Sequence, residues 1–338
     1  METPMTIRTL LLATAASACA LPALAEVNIY TTRQPELIQP GMDAFTAETG
    51  IAVNLAFVNE GLIERLKAEG ARSPADLVMT VDIANMQRVV DSGTIQPMDD
   101  QVLRDAVPAN LRAADNTWFA LTTRARIVYA STDRVAQGEI TTYEDLADPK
   151  WKGRICTRSG LHDYNLALLS AYIAHHGEAE AKVWAQGLKD NLAKKPEGND
   201  RSQVKSIWAG ECDISLGNTY YMGQMLADPE QTEWANSVTI RFPKFEDGGT
   251  HVNISGIAMT QSAPNKAEAQ QLMEFLVSPD AQAIYAEVNN EYPVLPGAPL
   301  SDLVKSWGDY TVDDIDLTDV AGHRAAALRI MEEVNFDG

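Results

Sequence analysis

The segment VNIYTTRQPELIQPGMDAFTAETGIAVNLAFV (27–58) decides the fold class, because it places two strand patterns on either side of a helix pattern. The strand patterns are VNIY (27–30) and IAVNLAFV (51–58), and the apolar residues between them recur at helical spacing. A third strand pattern, DLVMT (76–80), continues the alternation and is itself enclosed by helix patterns. Strands that alternate with helices predict an α/β fold, with a mostly parallel sheet covered by helices on both faces.

A second series of strand patterns begins in the middle of the chain. RICTRSG (154–160) and CDISLGN (212–218) each precede a helix pattern, and NISGIAMT (253–260) carries the chain back toward the first sheet. The length of 338 residues indicates two lobes or one large α/β unit, and the second series of strands favours two similar lobes with a cleft between them. The expected division is a first lobe of residues 26–125 and 253–305, a second lobe of residues 126–252, and a C-terminal helical segment of residues 306–338 that packs across the lobes.

Residues 1–25 have the layout of a cleavable export signal. A basic residue precedes a short apolar run, and the small residues of Ala23-Leu24-Ala25 provide a cleavage site. The run is too short, and too rich in Ala and Ser, for a membrane span. We therefore expect residues 1–25 to be removed and the mature protein to be exported, with lipid attachment at Cys19 as an alternative.

The chain is strongly acidic, with 27 basic against 47 acidic residues and a formal charge of -20. Phosphate backbones and anionic bilayers both need a surplus of Lys and Arg on the protein that binds them. The charge therefore excludes a simple nucleic-acid-binding function and disfavours docking on an anionic membrane.

Only two cysteines, Cys156 and Cys212, remain after the expected cleavage. In an oxidising compartment such a pair is expected to form a disulfide, and closing a loop of this length stabilises a fold by about 4 kcal/mol. Two separate buried thiols are the alternative. The spacing of the cysteines and histidines matches neither the CxxC nor the HExxH pattern of zinc and redox sites.

The placement of three tyrosines is the most informative feature for function. The chain lacks a GxSxG elbow, a Walker loop and a GxGxxG motif after a strand. Tyr164 and the pair Tyr220-Tyr221, however, each follow a strand pattern of the second lobe. Because the carboxyl ends of parallel strands meet at one edge of a sheet, the three phenols can converge on one site. From the pattern alone, rings that only pack the ends of helices and a cleft that stacks on a sugar or polyamine remain alternatives.

Several segments together carry a family resemblance. They are VNIYTTR, WFALTTRARIVYAS, GRICTRSG, GNTYYMG, GGTHVNISGIAMT and APNKAEAQQLMEFLVSPDAQ, and they span essentially the whole mature chain. The sequence resembles the periplasmic ferric-iron-binding proteins of ABC transporters, the transferrin-like bacterial solute-binding proteins. The resemblance implies the two-lobed periplasmic binding protein fold with a hinge of crossing strands. It further implies a monomeric periplasmic protein, not an enzyme, that delivers ferric iron to an inner-membrane ABC permease with a cytoplasmic ATPase.

The resemblance also implies a set of metal ligands. In that family the tyrosine after the first strand of the second lobe and both tyrosines of the pair bind iron, which carries over to Tyr164, Tyr220 and Tyr221. Many relatives add a His, Tyr or Glu from the first lobe, whereas this chain has Thr32-Arg33-Gln34-Pro35-Glu36 there. The chain is therefore similar to the subgroup in which a synergistic anion, such as carbonate or bicarbonate, completes the coordination shell.

The anion needs a basic partner, and the family pattern points to Arg124, with Arg33 and Arg126 as alternatives. Residues expected to support these ligands are Arg201, Gln34 and Glu36, of which Glu36 is also an alternative first-lobe ligand.

Two other functions stay open on the sequence alone. One is a binder of an organic cation such as a polyamine or thiamine, which would need carboxylates and aromatic faces in the cleft. The other is an exported hydrolase, for which the sequence offers no recognisable nucleophile and base.

Overall fold

The computed structural model describes residues 25–58 and 60–338 of the chain. The expected signal peptide (1–25) includes Cys19, and all of its residues except Ala25 lie outside the described residues. None of the helices in the described ranges combines the length and the hydropathy that a membrane span requires.

Ten strands occur in the described part of the chain. They are β1 (Glu26–Thr31), β2 (Ala52–Phe57), β3 (Leu77–Thr80), β4 (Ile95–Gln96), β5 (Phe119–Ser131), β6 (Ile155–Cys156), β7 (Ile214–Asn218), β8 (Val238–Arg241), β9 (Val252–Thr260) and β10 (Tyr292–Pro293).

Thirteen α-helices accompany these strands over the same residues. They are α1 (Gln39–Thr49), α2 (Leu62–Glu69), α3 (Ile83–Asp91), α4 (Gln101–Ala106), α5 (Asp163–Asp190), α6 (Asp200–Trp208), α7 (Tyr220–Ala227), α8 (Thr232–Asn236), α9 (Lys266–Leu276), α10 (Pro279–Asn289), α11 (Asp302–Ser306), α12 (Leu317–Gly322) and α13 (Arg324–Glu333).

The strands form one mixed sheet in the order β2-β1-β3-β9-β5-β7-β6, with the short strands β4, β8 and β10 at its side. β1 pairs parallel with β2 and with β3, and β6 pairs parallel with β7. The long strands β5 and β9 run antiparallel to each other and to their outer neighbours β7 and β3. The expected α/β fold is confirmed, with two parallel halves joined by antiparallel crossing strands.

Strand β5 is the central connection between these halves. Residues Phe119–Ala125 pair with β9, whereas residues Arg126–Ser131 pair with β7 and β8. All thirteen residues of β5 are buried, as expected for a strand with neighbours on both edges and helices on both faces. The change of partner falls at the expected boundary between 125 and 126, although the division into lobes itself stays a prediction.

A disulfide and the packing of helices stabilise the half of the sheet around β6 and β7. Cys156 and Cys212 are bonded, with their Cα atoms 5.9 Å apart, so the expected disulfide is confirmed. Helix α5 packs against α13 and α12, and α12 also contacts α3 from the other half of the sheet. The strand expected over residues 154–160 is shorter than its pattern, since only Ile155–Cys156 pair with β7.

Candidate functional site

Two parallel neighbouring strands bring the three tyrosines together. Tyr164 lies in the first turn of α5, shortly after β6, while Tyr220 and Tyr221 are the first residues of α7, directly after β7. Because β6 and β7 are adjacent and parallel, both helices start at the same edge of the sheet. The hydroxyl oxygens of Tyr164 and Tyr220 are 3.0 Å apart, and the rings of Tyr220 and Tyr221 have centroids 4.3 Å apart.

Local contacts fix the entry into α5. The backbone N–H of Tyr164 donates to Nδ1 of His162, which is the N-cap residue, at 3.2 Å. The His162 ring also meets the Tyr164 ring edge-on, with centroids 4.6 Å apart. Burial and the nearby Arg158 guanidinium lower the pKa of His162 to about 4, so its imidazole is neutral at pH 7.

The tyrosines line a cavity of about 270 Å³ that also receives residues from the opposite half of the sheet. Four other residues expected at the site line it as well, namely Arg33, Gln34, Arg124 and Arg201. Glu36 is exposed on a 3₁₀ turn and Arg126 is buried to one side, and neither is among the described residues that line this cavity.

The lining also includes Thr32, Leu37 and Val81, together with three polar residues that sequence analysis missed. Gln224 lies one helical turn after Tyr220, so helical spacing along α7 was a signal that could have found it. Asn289 and Glu291 also line the cavity, but they come from a distant segment whose pattern carries no such signal.

Arg124 is a buried cation with unused hydrogen-bonding capacity. Its residue is 2% exposed, and within residues 25–58 and 60–338 its Nη1 has no hydrogen-bond partner. A buried donor without a partner costs free energy, which a bound group can recover. Since Arg124 lines the cavity of the tyrosines, it can hold an anion there.

The other two arginines considered for the anion are already paired through both of their Nη atoms, and in the described residues only the Nε atom of each has no partner. Arg33 donates to both carboxylate oxygens of Glu291, at 3.1 and 2.8 Å, and to the hydroxyl of Ser255. Arg126 donates to Asp200 at 2.8 Å, to Asn165 at 2.7 Å and to Asn218 at 3.1 Å. Their contacts favour a structural role, and anion binding by either residue stays a prediction.

The metal-free site holds the phenols of Tyr220 and Tyr221 in the protonated form. Burial, together with the charge that Tyr164 would carry, raises the pKa of Tyr221 to about 12. Burial, and then the charge that Tyr164 would carry, also raise the pKa of Tyr220 well above its ordinary value. Stable ionisation of these phenols at pH 7 therefore requires a strong positive charge between them.

A second, larger cavity of about 600 Å³ continues the cleft beyond Tyr164. It lies between the carboxyl ends of β1 and β3 on one side and the start of α5 on the other, and Thr32, Val81 and Tyr164 line both cavities. Acidic side chains such as Glu60, Glu64 and Asp82 also reach it. In the described residues, no group of three or more His, Cys, Asp and Glu side chains is arranged to hold a metal.

Residues 72–308 match the model of the family of bacterial extracellular solute-binding proteins. The chain belongs to that family. This solute-binding protein is 43% identical over 317 residues to iron uptake protein A1 of Synechocystis sp., an alignment that covers 92% of this chain and 87% of the relative.

Solved structures of similar sequence share the fold of this solute-binding protein. Ferric iron-binding protein A of Mannheimia haemolytica, in an open conformation, superimposes with a TM-score of 0.89 at 47% identity, covering 93% of this chain and 99% of that one. A Trichodesmium protein (IdiA, FutA), in complex with iron and citrate ligands, gives a TM-score of 0.89 at 41% identity, covering 92% and 100%. The family resemblance and the two-lobed fold expected from the sequence are thereby confirmed.

Proposed function

We propose that this solute-binding protein binds ferric iron through the phenolate oxygens of Tyr164, Tyr220 and Tyr221. The observation that carries the proposal is the convergence of these phenols on one cavity at the ends of β6 and β7. The names of similar proteins, which describe iron uptake and ferric iron binding, support the choice of metal.

The chemistry of the donors agrees with this metal. Ferric iron is small, triply charged and oxygen-seeking, and hard anionic oxygens are its preferred ligands. Three phenolates neutralise its three charges. Since the phenols of Tyr220 and Tyr221 are protonated in the metal-free site, binding must release protons, and the apparent affinity must fall as the pH falls. Acidification, or reduction to the less charged ferrous ion, then provides a route to release.

We further propose that a small anion completes the coordination shell. Three protein oxygens leave positions open on the metal, and the unpartnered Nη1 of the buried Arg124 is a donor close to them. Carbonate or bicarbonate fits a bidentate guanidinium contact. The citrate in the Trichodesmium complex shows that a carboxylate ligand accompanies iron in a similar protein.

The cellular role follows from the family. Extracellular solute-binding proteins carry a ligand to a membrane transporter, so the proposed destination of the iron is an inner-membrane ABC permease with its cytoplasmic ATPase. The proposed location is the periplasm, and the proposed form is a monomer without enzymatic activity. Uptake of radioactive ferric iron by cells with and without this protein tests the delivery step.

The iron site is tested with Tyr220→Phe and Tyr221→Phe, each compared with Tyr172→Phe as a control. Tyr172 is buried in α5 against Trp184 and lines neither cavity of the described cleft. We expect the unchanged protein and the control to develop a visible phenolate-to-iron band, and the two site variants to lose affinity by orders of magnitude in competition with citrate. A protein that stays colourless when saturated, or unchanged affinity in both site variants, would refute the proposal.

A further inference from the structure

The loop that carries Tyr164 is bound by residues that follow helix α13. The Asp337 carboxylate accepts a hydrogen bond from the backbone N–H of Gly160, at 2.7 Å, and another from the hydroxyl of Ser159. Gly160 and Ser159 belong to the short connection between β6 and α5. One carboxylate therefore binds two consecutive residues, four and five positions before Tyr164.

The ring of Phe336 packs against the same loop, at Gly160. Phe336 is 1% exposed, and a Cβ atom built on Gly160 would lie 2.5 Å from its Cδ1 atom, so the loop backbone rests directly on the ring. The chain reaches this position through a left-handed turn at Asn335, where φ is 49°. Asn tolerates this conformation better than most residues do.

The rest of the loop is stabilised by hydrogen bonds of Ser159 and by an ion pair between α13 and the start of α5. The Ser159 hydroxyl accepts from the backbone N–H of Leu161 at 3.1 Å, and the Ser159 carbonyl accepts from Nδ2 of Asn165 at 3.0 Å. Arg324, the first residue of α13, donates to the carboxylate of Asp163 at 2.5 Å. Ser159 thus connects the Asp337 contact to the first turn of α5.

We propose that Asp337 and Phe336 are positioning residues for Tyr164, which hold its loop in the geometry that iron binding needs. This inference rests on the proposed function, since it takes Tyr164 to be a ligand. Without the Asp337 carboxylate, the Gly160 N–H and the Ser159 hydroxyl lose their partner and the loop gains conformations. Iron must then order that loop when it binds. The conformational entropy lost in ordering the loop that carries Tyr164 lowers the affinity for iron.

The test is a double-mutant cycle between Asp337→Ala and Tyr164→Phe, read out as ferric affinity in competition with citrate. Glu333→Ala is the matched control, because Glu333 is the last residue of α13, four positions before Asp337, and pairs with Lys182 of α5 at 2.8 Å, away from the loop. We expect Asp337→Ala to weaken iron binding about tenfold, as the loss of hydrogen bonds to a charged group allows. We expect no such effect in the control or when Asp337→Ala is added to Tyr164→Phe.

Ser159→Ala provides a second variant, which removes from the loop side one of the two hydrogen bonds to Asp337 and leaves the Gly160 bond in place. It should lower ferric affinity in the same direction but by less than Asp337→Ala does, while thermal unfolding of the metal-free protein shows that both variants are folded. The inference is wrong if Asp337→Ala leaves ferric affinity unchanged, or if it lowers affinity by the same factor in the Tyr164→Phe background as in the unchanged protein. Either result leaves the proposed function standing. A Tyr164→Phe variant with unchanged affinity instead overturns the ligand set of the proposed function.

Discussion

Replacing Asp200 by Asn should destabilise the protein strongly, because Asp200 is the shared anion of two arginines in the protein interior. Its side chain is fully buried and accepts from Arg126 at 2.8 Å and from Arg158 at 3.2 Å. It also accepts from the backbone N–H of Asn218, at 3.1 Å. Asn keeps the shape and can keep this last bond, so the substitution removes the charge and leaves the packing intact.

The magnitude follows from the burial of the group. Removing one partner of a buried ion pair costs about 3–5 kcal/mol, because the remaining charge stays buried without compensation. Asp213 provides the matched control, since it too accepts from two arginines, Arg134 at 2.5 Å and Arg154 at 2.6 Å. Its side chain is 17% exposed and those of its partners 39% and 32%, so solvent screens the pairs and Asp213→Asn should cost only about 1 kcal/mol.

Urea unfolding, followed by circular dichroism and by tryptophan fluorescence, measures both effects. With a slope of about 3 kcal/mol/M, a loss of 3–5 kcal/mol moves the midpoint by more than about 1 M, whereas the control moves it by about 0.3 M. The two probes must give coincident transitions for the comparison to hold. An Asp200→Asn variant that is no less stable than Asp213→Asn would refute the reasoning, because the buried charge would then not govern the cost.

Three further predictions concern the iron site and its support. Arg124→Gln should lower ferric affinity in bicarbonate buffer, and the difference from the unchanged protein should vanish when bicarbonate is depleted; a persistent difference would contradict an anion-binding role. Because their raised pKa values keep Tyr220 and Tyr221 protonated at pH 7, iron binding should release at least about two protons, one from each of these phenols, measured with an indicator dye in weak buffer. Affinity should accordingly fall with pH, and binding without proton release would exclude phenolate ligands. Gly217→Ala should cost about 1–3 kcal/mol in urea unfolding, because a Cβ there would lie 2.2 Å from the Tyr129 ring, whereas Gly322→Ala, with open space around it, should cost little.

The sequence predicted the convergence of Tyr164, Tyr220 and Tyr221 on one cavity, because their placement depends on local pattern and simple topology. Each tyrosine follows a strand, and parallel neighbouring strands bring such residues to one edge of the sheet. The relative roles of Arg124 and Arg126 were harder to predict. They lie two positions apart on β5 and share a face, yet Arg126 is neutralised by Asp200 from α6, which only the tertiary structure reveals.

Tertiary contacts also explain where local patterns were misleading. The strand pattern of residues 154–160 ends early because Ser159 and Gly160 bind Asp337 instead of a neighbouring strand. Helix α5 ends at Asp190. The amide of the next residue, Asn191, donates to the carbonyl oxygens of Leu146 and Asp148, at 2.9 and 2.8 Å, and these bonds replace a further helical turn.

The disulfide has a consequence for proteolysis. Cys156 precedes Tyr164, and Cys212 precedes Tyr220, so a single cut of the backbone between Tyr164 and Cys212 leaves each tyrosine attached to one of the bonded cysteines. The two fragments stay covalently joined and migrate as one species on a gel unless a thiol reductant is added. Outside the cell membrane, where proteases are common and thiols are oxidised, one nick in this region cannot separate the two halves of the proposed iron site.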